Sequence, residues 1–211
     1  MSEPVRSLEI ELKFDVGPHV TGIPEWFEVP GVEAVSAADP RNLDALYLDT
    51  VDATLGRAGY AVRRRTGGPD EGWHIKGPKI DGARVELQWP LGEGGADDVP
   101  AAVRAALAGV LPDADAALVP LARIRNERMA YHLLSSDGEV VAEFADDHVY
   151  TRDERSGIER EWREWEIELG AAGPVDARDR EAFFEAVTVA AHAAGAGAAT
   201  SASKLARALG V

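Results

Sequence analysis

Glu9, Glu11 and Lys13 alternate with Ile10, Leu12 and Phe14 near the N-terminus, and Glu164, Glu166 and Glu168 alternate with Trp165, Ile167 and Leu169 near the other end. Side chains of an extended segment point alternately to opposite faces, so each segment carries one charged face and one apolar face. Two segments between them carry basic versions of the pattern, with Arg63 and Arg65 in one and His74 and Lys76 in the other. Arg84 and Glu86 follow in the stretch 83–89. Paired carboxylates are hard oxygen ligands suited to Mg2+ or Mn2+. Arginine and lysine suit phosphoryl oxygens, which arginine can hold bidentately. A basic cradle beside a carboxylate-held divalent ion is the equipment for phosphoryl transfer to water. On composition alone, the same faces also fit the solvated outer sides of a β-sandwich.

Bringing those faces together requires many short strands. The first is expected over 5–14, ended by Asp15-Val16-Gly17-Pro18, and a short helix over 23–29 with Pro24 near its start. Segments 32–37 and 43–50 read as a strand pair joined across Asp39-Pro40-Arg41-Asn42, and Asp52 as the cap of a helical turn over 53–57. Strands follow at 60–66, 72–76 and 83–89, turned at Gly67-Gly68-Pro69-Asp70 and at 77–82. A Gly/Asp-rich loop over 92–98 leads to a helix over 99–111, with Pro100 in its first turn and Val103, Leu107 and Val110 as its apolar stripe. Strands resume at 118–127, 129–134, 140–150 and 158–169, with a hairpin turn at Asp137-Gly138. The last helices are expected over 179–194, anchored by Phe183, Phe184 and Val187, and over 203–209. No parallel βαβ rhythm and no Gly-rich phosphate loop is present.

If the strands close into a barrel, the apolar faces turn outward beneath the helices. The interior then holds Glu9, Glu11, Lys13, Arg63, Arg65, Lys76, Arg84, Glu86, Asp147, Glu164, Glu166 and Glu168. Burying so many charges dry would cost on the order of several kcal/mol each, so they need water, one another and a charged ligand. Parity puts Glu143 and Asp147 on one face and Asp146 on the other. Arg123 and Arg125 share a face that Arg128 does not, so at least one of the three is expected at the surface. His74 reads as a structural hydrogen-bond partner.

The 211 residues, 45% of them hydrophobic, are enough for one substantial core. A net charge of −15 argues against a nucleic-acid backbone as partner, which needs a dense positive footprint. It leaves room for a small polyanion in a locally basic pocket. There is no cysteine, hence no disulfide, thiol nucleophile or thiolate metal site. No apolar run reaches membrane-spanning length, and Met1-Ser2-Glu3-Pro4 lacks the features of a secretory signal. The expectation is a cytoplasmic protein, monomeric or homodimeric, with no nucleic-acid or membrane partner.

The ordered series Glu9-Ile10-Glu11-Leu12-Lys13, Tyr47-Leu48-Asp49-Thr50, Arg63-x-Arg65, Trp73-His74-Ile75-Lys76-Gly77-Pro78, Arg84-x-Glu86, Arg128-x-x-Tyr131, Asp147-His148-Val149 and Glu166-Ile167-Glu168 resembles the CYTH superfamily of triphosphate tunnel metalloenzymes. The C-terminal stretch Ser201 to Leu209, with Lys204, resembles the end of the same domain. That superfamily includes thiamine triphosphatases, inorganic tripolyphosphatases and class IV adenylate cyclases. The wording is most similar to the CYTH part of bacterial CYTH–CHAD proteins, with no histidine-rich CHAD helices before the end at Val211. The resemblance implies a mainly β (α+β) fold over residues 1–211, a closed antiparallel eight-stranded β-barrel tunnel with helices packed outside. It implies that Glu9, Glu11, Glu166 and Glu168 hold one Mg2+ or Mn2+ ion, and that Asp147, with Glu86, positions a second whose water attacks. It gives Lys13, Arg63, Arg65, Lys76, Arg84, Arg128 and Lys204 to the phosphate chain, with Arg125 as a subsidiary candidate. Lys13, Arg65, Asp147 and Glu168 are the residues expected to carry the chemistry. The implied reaction is cleavage of inorganic triphosphate to pyrophosphate and phosphate, with nucleoside triphosphates as weaker substrates. Thiamine triphosphatase, class IV cyclase and non-catalytic polyphosphate binding are the alternatives.

Overall fold

The computed structural model describes residues 3–92 and 98–211. In chain order its elements are β1 (Val5–Glu9), β2 (Glu11–Val16), β3 (Ala34–Val35), β4 (Asp39–Asp49), α1 (Thr54–Arg57), β5 (Ala61–Thr66), β6 (Gly72–Ile80), β7 (Ala83–Trp89), α2 (Ala101–Ala106), β8 (Val119–Leu134), β9 (Val140–Asp153), β10 (Glu159–Leu169), α3 (Ala177–Ala193), β11 (Gly197–Ala198) and α4 (Lys204–Leu209). No helix among the described residues is long and apolar enough to cross a membrane.

The expected closed eight-stranded barrel does not form. The fold is a mixed one, in which an 11-stranded sheet follows the path β1-β7-β6-β5-β4-β8-β9-β10-β2-β11, with β3 pairing on β8. Among the described residues no ladder joins the two ends of that path. The physical reason lies at Ile10, where the expected first strand divides. Its first half pairs antiparallel with β7 and its second half with β10. Backbone bonds on one side of Ile10 therefore serve one margin of the sheet and those beyond it serve the other. The margins meet through the covalent chain and not through a shared ladder.

Two apolar faces find separate partners. Phe14, Phe144, Trp165 and Ile167 pack with Phe183, Val187 and Ala191 of α3. Leu48, Val62, Trp73, Ile75 and Trp89 pack with Val103 of α2 and with Leu107. Each of these large side chains, fully buried, contributes about 1.5–3 kcal/mol. A third, smaller cluster joins Ala45, Tyr47, Ile124 and Val149 to Ala208, which brings α4 onto the sheet. Ser203 caps this helix by accepting from the Ala206 N–H at 3.1 Å, and Gly210 closes it with φ 75°.

Several local expectations change. The segment 23–29 is a set of turns, not a helix; Trp26 and Val29 are buried and tie it down, with Trp26 4.9 Å from the Phe144 ring. Segments 32–37 and 43–50 do not pair with each other. Both lie on β8, and β4 starts at Asp39, so Pro40 and Arg41 belong to a strand. The two strands expected over 118–134 are one, β8. Helix α2 covers only 101–106, although Leu107 and Leu111 beyond it stay buried. The 92–98 loop lies largely outside the described residues. Helix α1 is held by Asp49 in place of Asp52: the buried Asp49 carboxylate accepts from the N–H groups of Thr50, Leu55 and Gly56 at 2.6, 2.9 and 2.9 Å. At the β5–β6 turn, Gly67 has φ +77°, and a Cβ there would lie 2.0 Å from the Asn42 carbonyl oxygen. Only glycine lets this turn, and with it Arg65, sit so close to β4.

Candidate active site

Strand register sets acids and bases opposite one another. Glu11 and Lys13 on β2 stand across from Glu168 and Glu166 on β10. Glu9 on β1 faces Arg84 on β7, and Lys76 on β6 faces Glu86 on β7. Arg128 on β8 faces Asp147 on β9. The residues of the charged face line one cavity of about 260 Å³, entered also by Ser203 and Lys204 of the α4 end. All the candidate site residues line it except Asp147 and Arg125. Asp147 is fully buried in the wall, where it accepts from Arg128 Nε and Nη2 at 2.8 and 2.7 Å and from Asn126 Nδ2 at 3.3 Å. Arg125 is exposed and borders a separate hollow with Asp44 and Glu127.

The basic wall is short of acceptors. Arg63 donates to the Tyr47 hydroxyl at 3.2 Å and to Glu86 at 3.4 Å, and Arg65 pairs with Asp70. The Nε of Arg63 and of Arg65 are buried with no acceptor. Burial, and then the neighbouring Arg63 and Arg128, push the Arg65 guanidinium down to about 9. Buried donors without partners are costly, and guanidinium groups crowded together call for an anion. His74 sits behind this wall, with Nδ1 2.7 Å from a Glu86 carboxylate oxygen and Nε2 2.9 Å from the Asp70 carbonyl oxygen. Burial pushes its imidazole down to about 4 against the hydrogen bond to Glu86. It does not line the cavity and serves to orient Glu86.

The acidic wall divides into two sets. In the inner set, Asp147, Glu164 and Glu166 each present an oxygen within 4.8 Å of the others, among the described residues the one such convergence of possible ligand atoms. Three hard oxygens at that spacing are compatible with a divalent metal. Lys13 and Arg128 also reach Glu166, the latter at 2.7 Å. Burial acts to raise the carboxyls of Asp147 and Glu166, but the surrounding lysines and Arg128 outweigh it and hold both low. The outer set is Glu9, Glu11 and Glu168. Lys76 lies 2.5 Å from Glu9 and Lys13 2.8 Å from Glu11, whereas no cation of the described residues lies within 4.0 Å of Glu168. Desolvation, and then Glu9 and Glu11 against the pull of Lys76, push the Glu168 carboxyl up to about 7. The oxygens of the outer set do not converge as those of the inner set do, and Glu168 is its one member without a cation partner among the described residues.

Comparison with known proteins decides the family. A model of the CYTH domain matches residues 7–195. The chain belongs to the CYTH domain family. Two uncharacterized Mycobacterium tuberculosis proteins, from strains CDC 1551 / Oshkosh and H37Rv, are each 35% identical to this CYTH chain over 98% of its length. The chain spans 41% of theirs. Among solved structures, a candidate adenylate cyclase from Bacillus halodurans superposes with a TM-score of 0.60 at 16% identity, covering 96% of this chain and 97% of that one. A candidate adenylyl cyclase from Hippeastrum, described as having a dominant triphosphatase activity, gives 0.55 at 15% identity over 96% and 95%. At those identities the likeness concerns the fold.

The CYTH cavity also holds residues that the sequence reading passed over. Arg41 lines it, donating to Glu143 at 3.2 and 3.1 Å and to Asp39 at 2.8 Å. Glu143 is further approached by Arg128 at 3.7 Å and His132 at 3.4 Å. The signal for Arg41 was its parity with Tyr47 along one extended stretch, masked by Pro40, which suggested a connector.

Proposed function

We propose that this CYTH domain uses a divalent metal, Mg2+ or Mn2+, to hydrolyse the terminal phosphate of inorganic triphosphate, giving pyrophosphate and phosphate, with nucleoside triphosphates as poorer substrates. The observation that carries this reading is the placing, across one cavity, of buried guanidinium N–H groups lacking acceptors and of the Glu168 carboxylate, which among the described residues has no cation partner. Only a ligand assembly bearing both charges, such as a metal-bound polyphosphate, answers both deficits. Inorganic triphosphate is favoured over a nucleotide because Tyr47 is the one aromatic side chain among the described cavity residues, and Arg63 already holds its hydroxyl. A base would find no ring to stack on.

Glu9, Glu11 and Glu168 would hold the ion, while Glu166 is engaged by Lys13 and Arg128 and keeps those cations in place. The bound ion supplies charge neutralisation at the phosphoryl oxygens and polarises the terminal phosphorus. Arg63, Arg65, Lys76 and Arg84 grip the phosphate chain and offset the charge that develops as the bridging P–O bond breaks. Water adds its oxygen to the terminal phosphorus, the electron pair of the broken bond leaves on pyrophosphate, and the net proton goes to solvent. Lys13, between Glu11 and Glu166, places a positive charge where the acidic and basic walls meet.

The test is metal-dependent phosphate release from inorganic triphosphate, ATP and thiamine triphosphate, with Glu11→Ala and Arg65→Ala beside the unmodified domain. The expected result is fastest release from inorganic triphosphate, and a loss of about 10²–10³-fold in Arg65→Ala, as for removal of one donor to transition-state charge. Equal turnover in both variants would overturn the reading, and cyclic AMP formed from ATP would replace it with a cyclase.

A further inference from the structure

One cation of the cavity has no task in the chemistry above. Arg41 stands directly opposite Arg128 in the β4–β8 ladder, and its largely buried side chain lines the cavity. Like charges set opposite one another across a ladder repel. Glu143 answers both guanidinium groups: it accepts from Arg41 Nη1 at 3.2 and 3.1 Å and is approached by Arg128 Nη1 at 3.7 Å, with His132 Nε2 at 3.4 Å. Arg128 has further acids in Asp147 and Glu166, whereas the other acid on Arg41 is Asp39, which is 60% exposed. Arg41 Nη2 meets no acceptor among the described residues. The group lies where the cavity opens. On β9, Asp147 is fully buried and Glu143, on the same face nearer the start of the strand, is 27% exposed; on β8, His132 beyond Arg128 is 44% exposed.

We propose that Arg41 is a further phosphate-binding residue, the outermost of the basic wall, and that Glu143 is its positioning residue, holding the guanidinium at the wall of the empty site and yielding it to the phosphoryl group nearest the opening when a polyphosphate enters. This rests on the polyphosphate substrate proposed above and adds to its grip. The contact with Glu143 does not take Arg41 out of use. A partly exposed carboxylate shared among three basic groups holds any one of them weakly. A phosphoryl group offers the same guanidinium fork two oxygens and a higher charge. Arg63 and Arg65 wait for an anion with unpaired N–H groups, and Arg41 waits for one on a displaceable partner.

The experiment is calorimetric titration of inorganic triphosphate into the intact domain in chelator, so that binding is read without turnover, with the fold of each variant checked by circular dichroism. Arg41→Met should weaken binding by about tenfold or more, the loss expected of one charge-assisted hydrogen bond. Arg41→Lys, which keeps the charge without the fork, should lose less, and it carries the test if Arg41→Met does not fold. Glu143→Gln should tighten binding by about threefold, because the competing acid is gone. In the Arg41→Met background that gain should shrink below about twofold, since it acts through Arg41. Binding unchanged in both Arg41 variants, a Glu143→Gln loss in place of a gain, or an equal gain in both backgrounds would each overturn the inference and leave the proposed hydrolysis standing. No triphosphate binding by the unmodified domain would remove both.

Discussion

Replacing Arg65 by methionine should make the metal-free, ligand-free domain more stable while weakening its response to triphosphate. The Arg65 guanidinium is held at about 9 in place of 12.5, first by burial and then by Arg63 and Arg128. At pH 7 it is charged in both folded and unfolded chains, so the depression is a cost borne by the folded state alone. The unfolded chain binds more protons only between about 9 and 12.5, so stability rises with pH in that window and the full cost is present below it. At about 1.4 kcal/mol per pH unit, the difference caps the cost at roughly 5 kcal/mol. Against this, the substitution gives up an ion pair to the half-exposed Asp70, worth about 1 kcal/mol at most, while methionine retains most of the stem's packing. The two figures leave a net gain of about 4 kcal/mol at most, and half of that, about 2 kcal/mol, already raises the melting temperature of a chain of this length by about 4–8 °C. Thermal melting in chelator, with and without inorganic triphosphate, is the assay. The unmodified domain should be strongly stabilised by the anion and Arg65→Met only weakly. A melting temperature that falls by several degrees in Arg65→Met, with the anion response intact, would refute the claim that the basic wall is strained until an anion arrives.

Glu168 makes a second prediction through its carboxyl, pushed up to about 7. The metal-free folded state binds the extra proton between about 4.5 and 7, so stability should fall as pH rises through that range, and Glu168→Gln should flatten the profile. Because the ionised form holds the ion, Mn2+ affinity should drop about tenfold per pH unit below 7, a dependence that calorimetry at several pH values would detect or exclude. Asp49→Ala should destabilise the chain by about 2–4 kcal/mol, since three backbone N–H groups lose their acceptor in a buried place. Denaturant melts check this, and a change below 0.5 kcal/mol (the size expected of an ordinary surface substitution, about 0.5 kcal/mol) would show that α1 is held otherwise.

What was legible in the sequence was which side chains share a face. Alternation alone put Glu9, Glu11 and Lys13 together, and likewise Arg63 with Arg65 and Glu166 with Glu168, because period two is a property of the single strand. Pairing is not. That Lys13 meets Glu166, or that the first strand divides its hydrogen bonds between β7 and β10 at Ile10, depends on the curvature of the whole sheet. The closed barrel was an inference about pairing, and it failed at that residue. Arg41 was missed because Pro40 reads locally as a break, yet β8 supplies enough register on both sides to carry it within β4. The 23–29 helix, expected with Pro24 near its start, does not form because Trp26 and Val29 are buried as anchors of a turn. The contact of Lys204 with Asp147 and Glu166 needed the third dimension, since only the placement of α4 brings it to acids that lie far from it in the chain.

The most direct test of the central claim, that one cavity joins a carboxylate-held metal to a guanidinium-held phosphate chain, is phosphorus NMR of inorganic triphosphate incubated with the domain and Mg2+. The account predicts that the three-phosphorus pattern is replaced by equal amounts of pyrophosphate and phosphate, and that chelator stops the conversion. Triphosphate that persists unchanged with Mg2+, or is consumed equally fast in chelator, would contradict it.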